Sequence, residues 1–329
     1  MSRIDLDAVA QEWEDADEPR RTRPPSPRPR RTEHPVGRVI GLHKGWVDVI
    51  VGGEEISAVY GGAMRGEHIV VGDRVRVRLI RHDTDTARVV DRLQRGSVLM
   101  RTADDTLAEE RLLAANVDLA IVVIVADEGE IGARFADRIL VAAEAGGLDG
   151  AICVNKIDVN DDVGWIRDRY DPLGYSVVAT SAHTGEGLEE LRTLLADRWS
   201  VLAGHSGVGK TSLSNLLVPG SQRQVGEVGR FGGRHVTVSP RALRVPGVDN
   251  AWLVDTPGVR SFGIAHLAPD DLAFAFPELR GLPCDLPGCL HDGEPGCAVP
   301  ELLTKKVSPA RYGSYQRFLA ALRGDHGGW

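Results

Sequence analysis

Residues 201–213 read VLAGHSGVGKTSL, and Gly204 to Thr211 satisfy the pattern G-x-x-x-x-G-K-[ST] in full. In such a loop the backbone N–H groups of Gly204, His205, Ser206, Gly207, Val208 and Gly209 close around phosphates. Lys210 neutralises the β and γ oxygens, Thr211 offers its hydroxyl to Mg²⁺, and Ser212 lies just inside the following helix. The apolar run WSVLAG predicts a strand before the loop and KTSLSNLLV a helix after it, so phosphate would sit at a helix N-terminus.

The flanking sequence alternates in the manner of an α/β domain. VDLAIVVIVA, DGAICVNKID, SVVATSA and AWLV read as buried strands, and ARFADRILVAAEAGG as a helix stopped by Gly146 and Gly147. This pattern predicts a doubly wound parallel sheet, whose ligands bind beyond the carboxyl ends of the strands. Three further motifs fall at such ends. Asn155, Lys156, Ile157 and Asp158 form NKID, where a carboxylate can accept from guanine N1–H and the exocyclic amine. Adenine presents an acceptor at N1 and would leave that carboxylate unpaired, which disfavours an ATPase. In TSAHTG, Ser181 and Ala182 resemble the loop that backs the guanine in GTPases. DTPG supplies Asp255 to hold Mg²⁺, usually through water, and Gly258, whose N–H can approach the γ-phosphate.

These elements run in the order base, base, phosphate, Mg²⁺, whereas an ordinary GTPase places the base-reading pair last. A circular permutation accounts for the order, because the termini of compact domains often lie close and can be rejoined elsewhere. It also leads the γ-phosphate sensor straight into the C-terminal unit, so nucleotide state can be passed on. Between loop and sensor, VGEVGRFGGRHVTVS with Arg230 and Arg234 has the composition of a switch, and Thr237 is a candidate Mg²⁺ contact. Val259 follows DTPG and cannot orient water, so intrinsic hydrolysis should be slow unless His235 or a partner supplies that function. The catalytic candidates are thus Lys210, Thr211, His235, Thr237, Asp255 and Gly258.

The remaining sequence sets the domain plan of the 329 residues. Residues 1–33 pass from an acidic run into RRTRPPSPRPRR and are expected to be disordered. Over 34–100, period-2 alternation between glycine turns predicts about five short strands, a small β-barrel of the oligonucleotide-binding (OB) kind. The permuted domain is expected over 101–265 and an α-rich, zinc-binding C-terminal unit over 266–329. There LAPDDLAFAFPELRGLPC reads as helical, and SPARYGSYQRFLAALRG as a helix with Ser308 as cap and Tyr312, Tyr315, Leu319 and Leu322 on one face. Three of the four cysteines crowd together: Cys284, Cys289 and Cys297, with His291, make a closed set for one structural Zn²⁺. The net charge of −8 excludes a uniformly basic nucleic-acid binder but not a local basic patch. No apolar run reaches the roughly 18 residues of a membrane span and no signal peptide is evident, so the expectation is cytoplasmic, with no membrane.

Taken in order, AANVD, NKID, TSAHTGEGL, GHSGVGKTSL, GRHVTVS, DTPGVRSFG and the Cys-x4-Cys-x-His-x5-Cys knuckle resemble the ribosome small subunit-dependent GTPase A family over about Val36 to Tyr315. The resemblance implies a circularly permuted GTPase that uses GTP, GDP and Mg²⁺ and binds the 30S subunit and 16S rRNA. It further implies hydrolysis stimulated by the ribosome and coupled to late small-subunit maturation and factor release, by a protein expected to be monomeric. A nucleotide-gated RNA-binding module with incidental hydrolysis is the rival from another class. Three departures are visible: His235, Val236, Thr237 stand where the family usually reads His-Thr-Thr, His205 stands where it usually has Gln, and the long Arg/Pro leader has no counterpart in the family pattern.

Overall fold

The computed structural model describes residues 34–64, 66–79, 87–102, 110–220, 240–255, 264 and 267–324. The leader, the switch stretch with Arg230, Arg234, His235 and Thr237, and Gly258 and Val259 lie outside the described residues.

Five strands close the barrel: β1 (Val36–Leu42), β2 (Trp46–Val51), β3 (Glu54–Tyr60), β4 (Arg74–Leu79) and β5 (Ala87–Arg92). Their order is β1-β2-β3-β5-β4, and β4 returns to pair with β1. Alternation drives this closure, since Val39, Val47, Val49, Ala58, Val75, Val77, Ala87 and Val89 point inward and are buried together. A separate hairpin follows, β6 (Val98–Thr102) with β7 (Glu110–Ala115).

The second region holds β8 (Leu119–Val125), β9 (Asp149–Asn155), β10 (Ser176–Ala179), β11 (Trp199–Ala203), β12 (Arg241–Arg244) and β13 (Trp252–Asp255), in the order β10-β9-β8-β11-β13-β12. All its neighbours pair in parallel except β12, which is antiparallel to β13. Helices α1 (Gly129–Ala145), α2 (Gly164–Tyr170), α3 (Leu188–Leu195) and α4 (Lys210–Leu217) connect or follow these strands. The phosphate-loop strand β11 is central, between β8 and β13, although it comes fourth among these strands in the chain. That placement is the permutation made visible: the sheet is complete and only the chain order differs.

β12 also pairs with β1, Gly41 opposite Arg241, so barrel and nucleotide-domain strands make one sheet of eleven. The AANVD motif is the joint beneath it. Asn116 accepts from Gly96 N at 2.8 Å and donates to Gly72 O at 3.0 Å, while Asp118 accepts from Trp199 N at 2.7 Å. Arg38 of β1 lays its guanidinium over the Trp199 ring, 3.6 Å from the centroid, and donates to Asn116 O.

In the C-terminal unit, α5 (Val299–Leu302) and α6 (Pro309–Leu322) follow the cysteine cluster. The stretch expected to be helical before that cluster is two 3₁₀ segments, Pro269–Ala275 and Pro277–Leu279. Pro277 removes an N–H and disfavours α geometry at Phe276, which is extended, so a continuous α-helix is not available. Ser308 occupies the N-cap position of α6 without a side-chain capping hydrogen bond. The buried face of α6 is Arg311, Ser314, Tyr315, Phe318 and Leu319, so two polar residues enter the stripe that the sequence assigned to Tyr and Leu.

Candidate active site and metal centre

The expected nucleotide residues gather at the carboxyl ends of parallel strands. β11 delivers Gly204 to Gly209, β9 delivers Asn155 to Asp158, β10 delivers Ser181 and Ala182, and Asp255 ends β13. The phosphate loop needs its glycines: Gly209, at φ +98°, is the N-cap of α4, and a Cβ there would lie 2.2 Å from Asn155 Nδ2. Lys210 Nζ donates to Gly204 O at 2.6 Å and His205 O at 2.7 Å. Phosphate oxygens would compete for those donors, which places the ammonium where a loop lysine works. The hydroxyls of Thr211 and Ser212 ride on the first turn of α4. His205 packs its ring on Phe135 of α1 with centroids 3.9 Å apart.

Asn155 is the keystone of the three loops. Its Nδ2 donates to Val208 O at 2.8 Å, and its Oδ1 accepts from Ala182 N at 3.0 Å and Thr180 Oγ1 at 3.2 Å. One buried amide therefore ties the phosphate loop to both base-reading loops. Thr180 opens TSAHTG without an assigned role in the sequence, and the fold brings its hydroxyl to Asn155. Lys156 takes φ 66°, turning the chain so that Asp158 stands exposed beyond it. Ser181 Oγ donates to Asp158 Oδ1 and itself accepts from His183 N at 3.2 Å and Thr184 N at 3.1 Å. The Ser181 hydrogen bond holds the Asp158 carboxyl below its ordinary range, so it is an anion ready to accept two donors. Desolvation pushes the Asp255 carboxyl above its ordinary range, the opposite sense, which a bound Mg²⁺ would reverse. Nearby, Cys153 is an inert core thiol, pushed up to about 12 by burial.

A model of the RsgA GTPase family matches residues 92–265. Small ribosomal subunit biogenesis GTPase RsgA of Gemmatimonas aurantiaca is 39% identical over 285 residues, covering 83% of this chain and 92% of that protein. The chain belongs to the RsgA GTPase family. The protein of the same name from Chlorobaculum parvum is 38% identical over 268 residues, 77% of this chain and 85% of its own. Among solved structures, YjeQ from Thermotoga maritima superposes with a TM-score of 0.73 at 30% identity, covering 88% of this chain and 99% of its own. YloQ, described as a circularly permuted GTPase, shares the fold with a TM-score of 0.70 at 24% identity, covering 92% and 100%. This RsgA-family chain is accordingly a GTP hydrolase built on a permuted sheet.

Its C-terminal cluster brings one donor atom from each of Cys284, Cys289, His291 and Cys297 within 4.8 Å of one another. Cys284 Sγ and Cys297 Sγ lie 3.5 and 3.7 Å from His291 Nδ1. Tetrahedral Zn²⁺ with ordinary Zn–S and Zn–N lengths requires S···N separations of about 3.6 Å, so the cluster fits that ion. Burial pushes the Cys289 thiol up to about 12 and Cys297 upward as well, a direction that a bound cation would reverse. The support is already built. Ala298 N donates to Cys284 Sγ and His291 N to Cys289 Sγ, while Glu294 accepts from Leu290 N and Asp292 N at 2.7 Å each. Tyr312 OH donates to His291 O at 2.7 Å and Tyr315 OH to Leu290 O, so α6 braces the knuckle. Glu294 and the two tyrosines carry no ligand signature in the sequence, and folding alone gives them these places.

Proposed function

We propose that this GTPase acts in biogenesis of the small ribosomal subunit in the cytoplasm, as a monomer that binds 30S through 16S rRNA and couples GTP hydrolysis to late maturation and factor release. The names of its relatives support the ribosomal role. The observation that carries the guanine reading is the Ser181-to-Asp158 hydrogen bond in loops tied by Asn155 to the phosphate loop. In this reading Asp158 accepts from the guanine edge, with Lys156 and Ile157 beside it and Ala182 behind the base. The loop from Gly204 to Gly209 wraps the phosphates; Lys210 balances their charge, Ser212 lies just inside α4, and Thr211 with Asp255 holds Mg²⁺. Thr237, His235 and the Gly258 N–H would act from the switch side. Cys284, Cys289, His291 and Cys297 hold a structural Zn²⁺, which leaves no open position for a reacting water.

The domains read as leader 1–33, barrel 34–100, nucleotide domain 101–265 and zinc unit 266–329, with the barrel and zinc unit as the rRNA grip. The deciding measurement is GTP turnover by the full chain with and without purified 30S subunits. Stimulation of tenfold or more is expected, because Val259 cannot orient the attacking water and the ribosome would complete the site that His235 serves from the switch side. Equal rates would overturn the ribosomal reading.

A further inference from the structure

Charge is divided unevenly around the barrel. β2 and β3 contain no Lys or Arg and carry Asp48, Glu54 and Glu55. β4 and β5, read RVRVRL and ARVVDR, carry five arginines against one aspartate. Because Val75 and Val77 turn into the core, Arg74, Arg76 and Arg78 all turn outward. Successive guanidinium-bearing positions are therefore about 6.6 Å apart along the strand, twice the rise per residue.

The cross-strand partners make this face costlier. Arg38 of β1 stands opposite Arg74, and Arg88 of β5 opposite Arg78. Like charges directly opposite destabilise a sheet. Arg38, pushed down to about 10 mainly by burial, feels Arg74 in the same direction, with Asp118 opposing. Among the described residues only Arg76 of the outer row has an acidic partner, Asp91 at 3.6 Å. Arg74 turns toward a cleft it shares with Asp118 and Asp149, neither within ion-pair distance. Arg38 and Arg88 each keep a buried Nε without a hydrogen-bond partner. Arg92 is set apart by its pair with Glu67 at 3.2 Å and Arg95 by Asp73 at 2.7 Å. Among the described residues this row is thus left with an excess of positive charge on the outer face.

We propose that the β1–β4–β5 face of the barrel, through Arg74, Arg76, Arg78 and Arg88, is a docking surface for the phosphate backbone of RNA. A row of guanidiniums on one strand matches a linear polyanion, whereas the β2–β3 side, the usual nucleic-acid face of such barrels, offers no Lys or Arg of its own and has Asp48 and Glu55 paired with Arg241. The inference names the RNA-facing surface of the function proposed above and rests on that reading only for which RNA is bound.

The test uses the full chain with Arg74, Arg76 and Arg78 all changed to Gln, and a second variant with all three changed to Lys. Binding to purified 30S subunits and to protein-free 16S rRNA is titrated over a salt series. The Gln variant should bind both more weakly, with the slope of log K against log salt shallower by about two, one phosphate contact contributing about 0.7 to 0.9. The Lys variant should keep the wild-type slope, and GTP turnover without ribosomes should not change in either. An unchanged slope for the Gln variant overturns the proposal. So does a loss confined to whole subunits with naked rRNA bound normally, since the face would then read an acidic protein. Wild type that binds protein-free rRNA but not 30S removes the ribosomal reading and leaves this inference standing.

Discussion

Arg311 of α6 is fully buried and donates from Nη1 to Asp137 of α1 at 2.8 Å, tying the C-terminal helix to a helix that flanks the parallel sheet. Its Nε reaches Glu278 at 2.8 Å, and Asp137 also accepts from Arg169 at 2.8 Å, Tyr170 at 2.9 Å and Ser314 at 2.6 Å. The two guanidiniums meet the two buried carboxylates, with exposed Glu130 also pairing with Arg169 at 2.9 Å, and both oxygens of Asp137 are in use. Removing one member strands the rest. Arg311→Ala should destabilise the protein by about 3 to 5 kcal/mol, read as a lowered urea midpoint. An effect below about 1 kcal/mol would mean water replaces the guanidinium.

The Ser181 hydrogen bond predicts a pH dependence. Because the Asp158 pKa is depressed, its ionised form persists above that lowered value and is lost only as pH falls through it. Ser181→Ala should move the pKa back up toward the ordinary carboxylate range. The acid limb of GDP affinity should then shift to higher pH, while affinity at pH 8 changes much less. Titrating a fluorescent GDP analogue from pH 4 to 8 checks this, and coincident limbs for both proteins would refute it.

Asp158→Asn should weaken GTP binding by at least tenfold and narrow the gap between GTP and ATP. An amide can accept only one of the two guanine donors and faces the other with its own NH₂. Calorimetry with both nucleotides measures the ratio. Retained preference for GTP would assign guanine reading elsewhere.

Gly209→Ala tests the loop geometry. The added Cβ would meet Asn155 Nδ2 at 2.2 Å in a backbone conformation of φ +98°. Moving Asn155 would loosen all three loops at once. Nucleotide affinity should fall by tenfold or more, with about 1 to 2 kcal/mol lost from stability by backbone strain. Normal affinity with the same stability loss would separate the strain from the site.

Zinc should act on folding and not on the reaction itself. Chelation, or Cys289→Ser, should release one Zn²⁺ per chain and lower the melting temperature, with intrinsic GTP turnover reduced less than twofold at temperatures where the fold survives. Zinc content by mass spectrometry and a melt with and without chelator provide the check. A chain that purifies with no zinc would end this reading.

What the sequence determined by itself was whatever depends on local spacing. The loop from Gly204 to Thr211, the acidic groups Asp158 and Asp255, and the Cys and His set are each legible within a few residues as candidate ligands, because phosphate and metal ligation demand fixed residue types at fixed offsets. Period-2 alternation likewise marked the barrel strands. The order of the motifs even implied the permutation, which the central place of β11 bears out. Local reading overreached at Pro269–Leu279, where prolines turned an apolar stretch into 3₁₀ segments.

Tertiary structure alone decided the couplings between distant segments. Asn155 meeting Val208, Thr180 and Ala182, Arg241 entering the barrel sheet beside Gly41, and Arg311 finding Asp137 across 174 positions have no local signature. An arginine on a helix that also carries Ser314, Gln316 and Arg317 reads as a surface residue until its partners are known, because the cost of burying it is met only by carboxylates that the chain brings from far away.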